Sequence, residues 1–427
     1  MTRHPEFRLW PCHSLIDGSK IVAFRSAKEP LLSRSERLQY TATRLFSRDR
    51  TLGLRISTAL LLTVIALAWP IAAAAQTGLD WRPDKTWVFA VGVLEYQHPD
   101  VWRNQPAAKA HRRDVQLVEH FRQSGIPAAQ IVYLQDREAT QQQIRQSLAR
   151  LLQRTRQGDL LILYYTGHGS RDHQTREVHF VNYDAKDGST AWSVVEIAKI
   201  VDQGFQGDKA LLMADCCYSG ALAEELRRHD RRVPFACLCS SFSHNSSTGN
   251  WTYTDAILKG LRGHPAVDLN GDGQVEFSEI AAYSELDMAF IEKQKSVSAI
   301  SPHFPVSWKL ATTAGRAKPR LGERLEVHWR DKWYRAQIFD VKENQFHITY
   351  VNFDSSWDEW VGSDRIRPYR PKEFSKGENV DVYWAHDQKW YPATIRRAWY
   401  GLHFVHYEGY AEEYDDWVPP DAVRPRR

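Results

Sequence analysis

Short apolar runs separated by helix-patterned segments constrain this chain more than any other feature. Thr86–Val93 (TWVFAVGV), Leu160–Gly167 (LLILYYTG), Lys209–Asp215 (KALLMAD), Val233–Ser240 (VPFACLCS) and Val306–Thr313 (VSWKLATT) are rich in β-branched and aromatic residues. That pattern suits strands buried on both faces. Gln130–Leu134 (QIVYL) is a weaker example. Amphipathic stretches at 114–124, 140–154 and 194–201 lie between them. The alternation predicts an α/β domain over 81–315, a mainly parallel sheet sandwiched by helices.

Charge divides the chain. Residues 1–55 carry 11 Lys/Arg against 5 Asp/Glu, and 56–75 carry neither. Residues 76–427 have 45 basic against 47 acidic side chains, so the body lacks a basic signature for nucleic acid. Ile56–Gln76 (ISTALLLTVIALAWPIAAAAQ) has a basic flank, an apolar run and a small-residue end, the order of parts in a secretory signal cleaved after Ala75. A run of about 20 apolar residues also suits a signal anchor. Residues 1–75 are therefore read as processing sequence or a mis-assigned start. The protein is expected to be exported, periplasmic or secreted, or anchored in the inner membrane by this segment alone; a cytoplasmic protein is the remaining alternative.

Past residue 75 there are four cysteines, Cys216, Cys217, Cys237 and Cys239. That is too few for a disulfide scaffold, and C-C and C-x-C lack the spacing of a structural zinc site. Ligands of an α/β sheet bind outside the carboxyl ends of its strands. Two expected strands end there in reactive side chains: 160–165 runs into TGHGS with His168, and 209–215 runs into CCYSG. A cysteine nucleophile needs an imidazole within reach and donors for the developing oxyanion. Gly-flanked turns offer such donors, and the helix expected over 221–228 begins close enough to lower a thiol pKa.

LLILYYTGHGS followed by ALLMADCCYSGAL resembles the His and Cys segments of the caspase/metacaspase superfamily of cysteine peptidases, across about 85–315. Laying the family's D-x-C-x-S-G pattern on the chain puts Asp215 at D, Cys217 at the nucleophile, and Ser219 and Gly220 at S-G. Cys216 falls on a variable position. The resemblance implies a caspase-like fold, His168 as acid and thiol activator, and an oxyanion hole from the backbone N–H groups of Gly169 and Cys217. It also implies that Asp215 lines a pocket favouring Arg or Lys, the alternative being a loop cap. Asp114 is a second candidate pocket acid. Peptide-bond hydrolysis through an acyl-enzyme requires no cofactor. The alternative is a non-catalytic or self-processing adaptor.

DLNGDGQVEFSE (268–279) fits an EF-hand loop, with Asp268, Asn270 and Asp272 at positions 1, 3 and 5. Gln274 would give its carbonyl, Glu276 falls at 9 and Glu279 at 12. Calcium binding and a fixed turn between helices are both open readings.

Beyond Arg316 the composition turns aromatic: residues 321–427 hold 22 of the chain's 51 aromatic residues. GERLEVHWRDKWYRAQI from Gly322 recurs as GENVDVYWAHDQKWYPATI from Gly377, and WDEWVGSDRIRP from Trp357 as YDDWVPPDAVRP from Tyr414. Two small SH3-like β-barrels are expected, at 321–369 and 374–427. They resemble Tudor/Agenet or chromo-like barrels. This implies aromatic cages for a methylated or basic peptide, from Trp329, Tyr334, Tyr350 and Trp357 in the first unit and Trp384, Tyr391 and Tyr407 in the second. Alternatively these rings are barrel core, the reading preferred for Trp360 and Trp417. The region has 16 basic against 19 acidic residues, which disfavours nucleic acid.

Overall fold

The computed structural model describes residues 80–426 except 173, 314–320, 386 and 400. The expected signal or anchor over 1–75 lies outside the described residues. Among the described residues no helix is long and apolar enough to cross a membrane.

The central sheet has six strands: β1 (Thr86–Gly92), β2 (Ile131–Gln135), β3 (Leu160–Thr166), β7 (Lys209–Asp215), β8 (Phe235–Cys239) and β10 (Val297–Ile300). Their order is β10-β8-β7-β3-β1-β2. All pairings are parallel except that of β10, which runs antiparallel along the edge at β8. β1, β3, β7 and β8 are essentially buried along their length, which explains why their sequences read as unbroken apolar runs.

Successive residues alternate between two cores. Phe89, Leu163, Leu212 and Ala214 pack with the helices Gln141–Leu152 (α2), Val194–Gly204 (α3) and Gly220–Arg228 (α4). Val88, Tyr164, Leu211 and Met213 pack with Arg113–Gln123 (α1), Thr252–Leu261 (α5) and Phe277–Asp287 (α6). A small sheet of β4 (Gly169–Arg171), β5 (Val178–Phe180) and β6 (Trp192–Ser193) leaves the end of β3. One apolar run departs from expectation. Within 306–313 only Lys309–Thr312 is a strand (β11), and it pairs antiparallel with β9 (Gln274–Glu276), away from the main sheet. Its apolar residues fill the α5/α6 core instead.

Two five-stranded antiparallel sheets follow. The first holds β12 (Arg324–Trp329), β13 (Lys332–Lys342), β14 (Gln345–Tyr350), β15 (Glu359–Gly362) and β16 (Ile366–Pro368), in the order β15-β14-β13-β12-β16. The second repeats that order with β17 (Asn379–Trp384), β18 (Lys389–Trp399), β19 (Leu402–Tyr407), β20 (Asp416–Val418) and β21 (Val423–Pro425). Each sheet wraps a small core of its own.

Both units are docked on the α/β domain. Phe290 and Ile291, in the π-helical turn Met288–Glu292, form one apolar cluster with Val351 of the first unit and Leu402, Phe404 and Trp417 of the second. Lys293 and Arg335 share Asp421, and the Lys295 ammonium donates to the Asp415 carbonyl. Trp417 is thus buried between domains rather than in its own barrel. Trp360 is 38% exposed and stacked on His347, which corrects the expectation that it fills the first barrel.

Candidate active site

Parallel pairing sets Thr166 opposite Asp215, so β3 and β7 end level with each other. Beyond those ends the two reactive turns touch. A Cβ placed on Gly169 would lie 1.8 Å from the Cys217 carbonyl oxygen, so only glycine allows this approach. Cys217 and Ser219 flank Tyr218, held at φ +60°, which turns the chain sharply into α4. Ser219 and Gly220 then lock the next segment in place. The Gly220 amide donates to the Ser241 carbonyl at 2.9 Å, the Ser219 and Ser241 hydroxyls meet at 3.1 Å, and the Tyr218 amide donates to the Asn245 carbonyl.

The two thiols differ as strand alternation requires. Cys216 continues the Leu212–Ala214 face into the α2–α4 core and is 2% exposed; burial pushes its thiol well above the usual range. Cys217 is only half-buried, and its Sγ accepts the Ser247 amide at 3.2 Å. The four cysteines among the described residues are free, with Cys237 and Cys239 3.5 Å apart at sulfur in the same buried face.

His168 is fixed by its main chain: its amide donates to the Tyr96 hydroxyl, and its carbonyl accepts from Tyr165. The imidazole stacks on Tyr96, and its Nε2 lies 2.7 Å from the Arg103 carbonyl. A carbonyl only accepts, so Nε2 carries the hydrogen and Nδ1 of the neutral ring is the basic nitrogen. Among the described residues no hydrogen bond joins His168 to Cys217. The ring rests on Arg103 and the thiol on Ser247.

Asp215 is buried on the α5 side, where Thr254 donates to its carboxylate at 2.6 Å and Tyr164 reaches Thr254 at 2.8 Å. Burial raises its carboxyl to about 6. Asp114 is elsewhere. It is fully buried, gripped by the Arg112 guanidinium at 2.6 Å and by the Tyr133 hydroxyl at 2.7 Å. Arg112 also joins Asp136, so Asp114 ties α1 to the ends of β1 and β2 and shows no free carboxylate to a substrate. This corrects its reading as a pocket acid.

The 268–279 loop turns its side chains inward. Asp268 accepts the amides of Gly271, Asp272 and Gly273, while Asn270 and Asp272 accept those of Asp272 and Gln274. Glu279 caps the amides of Asn270 and Glu276, and burial lifts its carboxyl to about 7. Gln274 lies in β9, with its side-chain oxygen buried and unpartnered. No three His, Cys, Asp or Glu side chains among the described residues converge as metal ligands. As placed, the acids serve as caps for a turn between α5 and α6.

The aromatic clusters contain rings the sequence reading omitted. In the first unit Trp329 meets Tyr334 and Trp357 edge-on, Phe353 joins them, and Arg330 covers the Trp329 face at 4.4 Å. Tyr350 is buried and donates to Glu359. In the second unit Trp384, Tyr391 and Tyr407 are joined by Tyr410 and Tyr414 around a cavity of about 270 Å³. Phe353 and Tyr410 stand at equivalent places in the two repeats, 57 residues apart, as do Trp357 and Tyr414, so the aromatic repeat itself marks these positions.

Residues 109–225, which contain both His168 and Cys217, match the profile of the metacaspase peptidase C14 domain. The chain carries a metacaspase-type peptidase domain. Residues 320–368 match the Tudor-knot family, described as the RNA binding activity-knot of a chromodomain. A search of curated proteins gives no match. Among solved structures, a Geobacter sulfurreducens protein is 12% identical, with TM-score 0.38 over 54% of this chain and 99% of its own. The Drosophila initiator caspase Dronc is 11% identical, with TM-score 0.36 over 58% of this chain and 91% of its own.

Proposed function

We propose that this metacaspase-type domain is a cysteine endopeptidase in which Cys217 attacks the peptide carbonyl and His168 manages the proton. The supporting observation is the contact between the two turns, Gly169 against the Cys217 carbonyl, at the level ends of β3 and β7. His168 Nδ1 takes the thiol proton, and the thiolate forms a thioester as the amine leaves with a proton from the imidazolium. Water then releases the acid and restores the thiol. The amides of Gly169 and Cys217 are the proposed oxyanion donors. Asp215, ionised above about pH 6, is the proposed partner of an Arg or Lys side chain.

The 268–279 loop is proposed to bind calcium, with Asp268, Asn270, Asp272, Glu279 and the Gln274 carbonyl turning onto the ion in place of their present amide partners. The two aromatic units are proposed to recruit a peptide partner. Their acidic balance argues against a phosphate backbone. Export, or inner-membrane anchoring through 1–75, is likewise proposed from the sequence alone.

The test is turnover of Arg- and Lys-ended fluorogenic peptides by the purified protein, beside Cys217→Ala, Cys216→Ala and His168→Ala. Loss of turnover in Cys217→Ala and His168→Ala, with Cys216→Ala active, is expected. No turnover, together with no labelling of Cys217 by a peptidyl electrophile, would favour the adaptor reading.

A further inference from the structure

The cavity of about 270 Å³ beside the second barrel is walled on its other side by the peptidase domain. Trp384, Tyr391, Tyr407, Tyr410 and Tyr414 form the aromatic wall; Arg171, Arg176, Phe242 and His244 face them. Phe242 meets Tyr414 edge-on at 5.4 Å, which closes one end.

The described lining carries two guanidinium groups, on Arg171 and Arg176, against one carboxylate, with Asp415 and Asp416 behind Tyr407 and Glu413 and Glu224 behind Tyr414. Among the described residues neither Arg171 nor Arg176 pairs with a carboxylate, and the Arg171 guanidinium has only the His244 ring, at 3.3 Å. The sole acid of the lining, Asp387, accepts a hydrogen bond from Tyr391 at 2.6 Å. Two buried donors have no partner, Arg171 Nε and the Tyr407 hydroxyl, and both belong to lining residues. An unpaired buried donor is costly, and a charged one more so. An incoming cation would meet two guanidinium groups and satisfy neither donor. A carboxylate answers both.

We infer that this composite cavity binds a carboxylate-bearing peptide segment, its acid on Arg171 and Tyr407 and a neighbouring apolar side chain on the aromatic wall. Its peptidase wall is built from the catalytic turns themselves. Arg171 ends β4, which starts at Gly169, and Phe242 and His244 lie in the segment that runs to Ser247 against the Cys217 thiol. A segment seated here would therefore touch the two segments that carry the reacting turns, as an exosite for an acidic stretch of substrate. That use rests on the peptidase reading, whereas the binding itself does not.

The experiment is calorimetric titration of the full chain carrying Cys217→Ala, so that turnover plays no part. The probes are acetylated Glu-Phe-Glu-Phe amide, its Gln-Phe-Gln-Phe counterpart and a trimethyllysyl-Phe-trimethyllysyl-Phe analogue. The Glu peptide is expected to bind at least about tenfold more tightly than the Gln peptide, the scale of a hydrogen bond to a charged group. Arg171→Gln and Tyr407→Phe should each cut that ratio to about threefold or less. Tyr407→Phe removes only an unpartnered hydroxyl, so its fold survives and its result stands if Arg171→Gln fails to fold. Equal affinity for the Glu and Gln peptides, tighter binding of the trimethyllysyl peptide, insensitivity to Tyr407→Phe, or no binding of any probe would each overturn the assignment.

Discussion

The Nε2 atom of His168 lies 2.7 Å from the main-chain carbonyl of Arg103, in a segment 65 residues earlier in the chain. The carbonyl fixes the tautomer and leaves Nδ1 as the base, a role that triads give to a side-chain carboxylate. Tyr96 supports the same imidazole from below, as ring partner and as acceptor of the His168 amide. Tyr96→Phe keeps the stack but strands the His168 amide and the Val93 carbonyl, both bonded to the hydroxyl in the native protein. The expected outcome is a loss of about 1–3 kcal/mol in denaturant-measured stability and a fall in kcat larger than the change in KM. A kcat equal to wild type would show that the Tyr96 hydroxyl does not position the imidazole.

Gly169→Ala tests the contact between the turns. The added methyl meets a carbonyl oxygen rather than a flexible side-chain end, so the main chain itself has to move. Overpacking of this kind costs about 1–3 kcal/mol. Labelling of Cys217 by a peptidyl electrophile should fall at least about a hundredfold, because sub-ångström misplacement of catalytic groups is amplified in rate. Far-ultraviolet circular dichroism should remain that of the folded protein.

Asp215 gives a pH-dependent prediction. Its folded carboxyl titrates near 6, above the ordinary 3.8, so its contribution to stability is full below about pH 4 and lost as pH rises through about 6. Arg-substrate recognition has the opposite dependence, since it requires the carboxylate. For an Arg-ended peptide kcat/KM should rise between pH 5 and 7, and Asp215→Asn should lower it by about 10–100-fold at pH 7.5. The variant should also lose the Arg-over-Gln preference. A retained preference in the Asn variant would assign specificity to another residue.

How much of this was legible depended on whether a pattern is local. Strand alternation allows only one thiol of the doublet to face the site, and the resemblance's D-x-C-x-S-G register gave that place to Cys217; Cys216 continues the buried Leu212–Ala214 face, and both turns stood at strand ends. Arg103 was invisible because it acts through its carbonyl, which no side-chain motif records. Ser247 was hidden because the 240–250 loop carries no periodicity. The run 306–313 misled because an apolar stretch is equally suited to a sheet centre and to a short hairpin over a helical core. Trp360 and Trp417 stand at the same place in their repeats, yet one is exposed and the other is buried against Phe290 and Leu402, a difference set by docking between domains.

Gln294 holds the segment that engages the nucleophile. Its buried carboxamide donates to the Ser240 carbonyl and the Ser247 hydroxyl and accepts the Thr248 amide. It sits between Lys293 and Lys295, both anchored on the second barrel. Gln294→Ala should free Ser247 from the thiol. Alkylation of Cys217 by iodoacetamide is then expected to quicken several-fold while peptide turnover slows. Parallel falls in both rates would mean that the segment builds the site without restraining the thiol.

Calcium binding at 268–279 carries its own pH signature. Glu279 titrates near 7 against an ordinary 4.5, because the loop buries it beside Asp268 and Asp272. Its contribution to stability is therefore present below about pH 4.5 and lost as pH rises through about 7. A bound cation compensates the ionised form, so the stabilising effect of calcium should be small at pH 5.5 and large at pH 8. With calcium at one hundred times its Kd the gain is about 2.7 kcal/mol, read as a rise in Tm in scanning calorimetry. Glu279→Gln keeps one carbonyl oxygen for either the Asn270 or the Glu276 amide, sets its NH2 against the other and removes the charge, so it should lower Tm at both pH values and lose most of the calcium-dependent rise. A Tm at pH 8 that is the same with calcium and with chelator would identify the loop as a turn closed by its own carboxylates.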